Sequence, residues 1–118
     1  MRKAIRIKYS PVFESQLGKL REAVRQKGIK FDRQLLKAIE REKDYLLIDQ
    51  HRGIQIPKDR IPHEYIAEYG ISNLWKIDLP DYWRMLYTIT GNEVEIITIL
   101  LEFMDHKKYD KVFGYRKI

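Results

Sequence analysis

The sequence predicts an α+β fold: an N-terminal strand, a helical hairpin, then a three-stranded antiparallel meander that completes a four-stranded sheet under the hairpin. Three observations predict it. Residues 3–9 alternate apolar and polar, the period of a strand. Two stretches follow in which apolar residues recur three and four apart, the period of a helix. Residues 74–103, LWKIDLPDYWRMLYTITGNEVEIITILLEF, then hold three β-rich runs separated by two turn signals.

In the first strand Ile5, Ile7 and Tyr9 point inward while Arg6 and Lys8 point out. Ser10-Pro11 starts the first helix, since Ser caps well, Pro fits the first turn, and Glu14 suits the positive helix end. Phe13, Leu17, Leu20 and Val24 form one stripe, opposite Arg21, Glu22 and Arg25; Lys27-Gly28 ends the helix. Asp32 is the candidate cap of a second helix over residues 33–48, with Leu35, Leu36, Ile39, Leu46 and Leu47 as its apolar positions. Its outer face (Lys37, Glu40, Arg41, Glu42, Lys43) alternates in sign, as a solvated face does.

Residues 50–72 have mixed character. Pro57 and Pro62 break regular structure, Arg52-Gly53 reads as a turn, and residues 62–69 suit a short helix that Tyr65 and Tyr69 pin to the domain. The meander then runs through strands 74–79, 82–90 and 93–103, with turns at Pro80-Asp81 and Gly91-Asn92. Trp75, Ile77 and Leu79 share one face, as do Trp83, Met85, Tyr87 and Ile89. The third strand is apolar on both faces and belongs in the middle. The N-terminal strand joins either at the sheet edge or beside that third strand.

Arg84 is the odd residue, a guanidinium in mid-strand. It either pairs with Asp78 or a glutamate across the sheet, or presents a cation, with Lys76, on an open concave face. After Phe103 the tail interleaves Lys107, Lys108, Lys111, Arg116 and Lys117 with Tyr109, Phe113 and Tyr115. Cations and rings in alternation suit single-stranded nucleic acid, and they also suit a docked C-terminal helix.

The 118 residues make one domain, 1–118. The net charge of +6 favours a polyanionic or acidic partner. There is no long apolar run and no signal-peptide pattern after Met1-Arg2-Lys3, so a soluble cytoplasmic protein that does not enter the membrane is expected. Cys is absent, and His51, His63 and His106 have no metal-ligand spacing, so neither metal nor cofactor is expected.

The chain resembles the RelE/ParE superfamily of toxins from type II toxin–antitoxin systems. The resemblance rests on the element order, on a basic residue in the first meander strand followed by Trp83-Arg84-Met85-Leu86-Tyr87 in the second, and on His106-Lys107-Lys108-Tyr109 in the tail. It implies a metal-free mRNA endonuclease acting at the ribosome, with a cognate antitoxin that covers the active face. It implies Arg84 as stabiliser of the phosphorane, Lys76 as phosphate ligand, His106 as general acid or base, and Tyr109 or Tyr115 against the nucleotide. Lys107, Lys108, Lys111 and Arg116 would bind the RNA backbone. The chain departs from the family at Asp78, where some members carry a second basic residue; Asp78 either pairs with Arg84 or acts as a base. A ParE-like toxin that poisons a protein target, and a non-catalytic RNA- or protein-binding module, are the competing readings. A nuclease requires Lys76, Arg84, His106 and a tail tyrosine to converge on one face.

Overall fold

The computed structural model describes residues 3–114. Strand β1 (Ala4–Tyr9) leads into helices α1 (Pro11–Gln26) and α2 (Lys30–Ile48). A two-residue strand β2 (Ile54–Gln55), a 3-10 turn (Lys58–Arg60) and helix α3 (His63–Tyr69) follow. Then come β3 (Trp75–Leu79), β4 (Trp83–Gly91), β5 (Glu95–Met104) and helix α4 (His106–Phe113). The α+β class stands, but the expected four-stranded sheet does not. The sheet has five strands in the order β1-β5-β4-β3-β2, and it is mixed. β1 lies parallel to β5, from Ala4↔Glu95 to Tyr9↔Leu100, so the first strand is both at the sheet edge and beside the third meander strand, which meets both placements left open for it. The fifth strand is Ile54–Gln55, pairing with Lys76 and Trp75. Two residues carry too little alternation to be read as a strand.

Ser10 caps α1 as its sequence suggests: its hydroxyl oxygen accepts from Phe13 N–H at 3.0 Å. The same hydroxyl donates to Leu101 O, which ties the helix start to β5. The second helix starts earlier than residue 33. Its cap position is Ile29, which supplies no side-chain bond, and Asp32 sits inside the first turn. There it faces the positive end of the helix, so its charge is favourable without capping.

The hairpin face of the sheet buries Phe13, Leu17, Leu20, Leu35, Ile39 and Leu46 against Ile77, Leu79, Met85, Tyr87, Leu100 and Phe103. Ile77, Leu79, Met85 and Tyr87 are among the positions that alternation assigned to one face. The opposite face is covered too. Leu74, Leu86, Leu101 and Met104 pack with Ile56, Ile61 and Tyr65 and with Tyr109 of α4. Of the two readings of Arg84, the pairing with Asp78 is present, while the face that the other reading left open is largely closed. An irregularity in β5 shapes this second face. Leu86 pairs with Glu102 while Tyr87 pairs with Leu100, so Leu101 is an extra residue. A bulge of this kind turns two successive side chains to one side. Here Leu101 and Glu102 both face α3 and α4.

Candidate functional site

The site is built where β3 and β4 meet at the Pro80–Tyr82 turn, under the first turn of α4. Asp78 and Arg84 are directly opposed in the β3–β4 ladder, and Lys76 lies two residues back on the same face. A single carboxylate oxygen serves both cations: Lys76 Nζ and Arg84 Nε each lie 3.0 Å from Asp78 Oδ1. The lysine contact is a hydrogen bond. The arginine contact is an ion pair only, because the buried Nε makes no aligned hydrogen bond. Arg84 Nη1 donates to Trp83 O at 3.2 Å, and none of these contacts uses Nη2. The guanidinium lies 5.4 Å from the centroid of the Tyr109 ring, within cation–π range. The arginine side chain is 18% exposed and the aspartate 56%, so the cation is held by fixed neighbours while its counter-ion faces water.

α4 begins at Asp105, whose side chain accepts from Lys108 N–H at 2.9 Å and so caps the helix. This sets His106 half-exposed beside Tyr82, with ring centroids 6.1 Å apart and the rings edge-to-face. His106 Nδ1 is 3.9 Å from Asp110 Oδ2 one turn on. Tyr82 is 71% exposed. Together with Asp78, Leu79, Asp81 and Arg84 it lines an open pocket of about 490 Å³.

Of the residues singled out by sequence, Lys76 and Arg84 meet through Asp78, Arg84 lies over Tyr109, and His106 adjoins them through Tyr82. Tyr109 does so as a buried residue, so the basic tail is a docked helix as well as a source of cations. Lys107, Lys108 and Lys111 are exposed on α4. Tyr115 and Arg116 lie outside the described residues. Among the described residues, no group of three or more His, Cys, Asp or Glu side chains could hold a metal ion, and no helix is long and apolar enough to cross a membrane.

Sequence reasoning missed two features. The first is the Glu102 anchor. Glu102 is buried on β5, accepts from the Tyr65 hydroxyl, and lies 3.7 Å from Lys108 Nζ. Burial, reinforced by that bond, pushes the Tyr65 hydroxyl far above its usual range. The anchor links α3, β5 and α4, and the bulge that creates it has no sequence signature. The second is Tyr82, which the sequence places as the first residue of a strand, on the face opposite Trp83. Its exposure follows from a turn in which Asp81 (φ 57°) and Tyr82 (φ 63°) both take the left-handed conformation. The aspartate was the available signal, since Asp tolerates that region.

No protein-family model matches this chain, and no curated protein matches it.

Proposed function

We propose that this protein is an endoribonuclease of the mRNA-interferase type, the toxin of a toxin–antitoxin pair, acting in the cytoplasm on mRNA held by the ribosome. The observation that carries the reading is the pair Lys76 and Arg84 held across Asp78, with Arg84 over the Tyr109 ring and lining an open pocket whose Tyr82 meets His106. The resemblance of the Trp83–Tyr87 stretch and of the His106–Tyr109 stretch to RelE-like toxins points the same way.

In the reaction the ribose 2′-oxygen attacks the adjacent phosphorus as its proton passes to a base. The P–O5′ bond breaks, and an acid protonates the leaving 5′-oxygen. The products are a 2′,3′-cyclic phosphate and a 5′-hydroxyl. Arg84 is the stabiliser of the charged phosphorane, because its forked donors match phosphate oxygens and its position is already fixed. Lys76 holds the phosphate. His106, at the rim, is the proton donor or acceptor, since an imidazole changes charge near neutral pH. The Tyr109 ring supports the guanidinium from below. Lys107, Lys108 and Lys111 of α4 extend the cationic surface along the RNA backbone. A cognate antitoxin would silence the toxin by covering this surface.

A second reading has its own support. Asp78 occupies both cations, which suits a non-catalytic RNA-binding module on the same fold that exchanges one carboxylate for one phosphate. The test is induced expression in a host without antitoxin, wild type beside Arg84→Ala, with mRNA 5′ ends mapped. Growth arrest with new 5′ ends that vanish in the folded variant is the expected result. Arrest without new ends moves the target to a protein, and no arrest from soluble protein leaves the binding module.

A further inference from the structure

We infer that Tyr82 is the platform on which one base of the bound single-stranded RNA stacks while Arg84 holds the adjoining phosphate. This rests on the nucleic-acid reading of the site and names a contact that reading did not contain.

The ring stands at the lip of the pocket it shares with Arg84, and its 71% exposure leaves a face open. A large aromatic gains little for the fold when most of it faces water. The backbone beneath it is also costly. Tyr82 and its neighbour Asp81 hold φ values of 63° and 57°, a conformation disfavoured for residues with a Cβ. Glycine at this position would close the turn without that strain. The chain instead carries a tyrosine, and the turn projects it beside a guanidinium. His106 meets the ring edge-on at 6.1 Å, which restricts its swing. An open π-face, a cation for phosphate and a steadied ring are the parts that single-strand binding uses. Of the two tail tyrosines expected in this role, Tyr115 lies outside the described residues, and Tyr109 is buried beneath Arg84 and cannot offer a face to a base in this arrangement.

The probes are a fluorescein-labelled hexaadenylate with every 2′-hydroxyl methylated, which cannot be cleaved by 2′-attack, and a hexamer of tetrahydrofuran phosphate, which has the charges and no bases. Wild type should bind the hexaadenylate more tightly than the base-free hexamer. Tyr82→Ala should weaken hexaadenylate binding about 5- to 150-fold, the range for one base–ring stack, and leave the base-free hexamer unaffected. Tyr82→Trp should keep the preference. Tyr82→Gly relieves the turn, so an unchanged or higher melting temperature together with lost preference excludes misfolding as the cause. Hexaadenylate binding by Tyr82→Ala equal to wild type, with Arg84→Ala impaired, overturns the stacking and leaves the nucleic-acid reading standing. Wild type that binds neither probe overturns both.

Discussion

The Tyr87 hydroxyl donates to Gln50 O and accepts from Gly53 N–H, both at 2.9 Å, from a ring that is fully buried. Burial pushes this hydroxyl up to about 12, against an ordinary value near 10. The folded state therefore favours the neutral phenol. Its contribution to stability is complete below about pH 10 and is lost as pH rises through about 12. In Tyr87→Phe, Gly53 N–H loses its partner, which costs about 1–3 kcal/mol near neutrality. Urea midpoints measured from pH 8 to 12 should show the two proteins far apart at pH 8 and converging above pH 10; parallel curves would remove the buried phenol from the alkaline response. Tyr87 was legible as a core-facing strand residue by alternation alone. Its two hydrogen bonds were not, because they end on a loop whose path no periodicity records. Arg84 was legible for the opposite reason: a cation in an apolar strand stands out against its neighbours, whereas Lys76, on the polar face of its strand, was marked by the resemblance. Asp78 lay in both proposed roles, and here it bridges the two cations.

The helix that carries His106 and Tyr109 has eight residues, too few to hold together by propensity. Its attachments include the Asp105 cap, Tyr109, Val112 and Phe113 against the second core, and Lys108 near Glu102. Asp105→Ala should cost about 0.5–2 kcal/mol, the usual loss for a capping side chain. The damage should be local. Hydrogen exchange should quicken at the amides of residues 106–113 and stay unchanged in β5, and growth arrest should weaken as His106 loses its place beside Tyr82. Uniform acceleration across β5 would mean that the cap supports the whole fold. The long elements of this chain were readable because their patterns run for many residues. α1 kept its stripe and its Ser10 cap, and β5, expected in the middle, is interior, between β1 and β4, while β4 holds the centre. The short ones were not. β2 depends on Gly53, where a Cβ would fall 2.4 Å from Lys76 O, so the close approach that admits this strand is a tertiary fact.

At the scale of the molecule, the +6 charge acts on whatever polyanion approaches. Lys107 and Lys111 lie exposed on α4. If both meet phosphates, replacing the two by Ala should lower the slope of log affinity against log salt by about 1.4, at roughly 0.7 per contact on a single strand. A slope equal to wild type would place the RNA elsewhere. The sheet order also bears on how the chain reaches its fold. Among the described residues β1 pairs only with β5, and Ser10 reaches Leu101 across 91 residues of sequence. Such distant pairings are slow to form, because a long loop must close before they contribute. During synthesis, β1 and the apolar stripes of α1 and α2 leave the ribosome long before the strand that completes their sheet. A nascent chain should therefore present an unpaired strand and an uncovered helical hairpin until β5 emerges, and then close in one late step. If the protein is the toxin proposed above, that order of events would keep the chain inert until β5 has emerged.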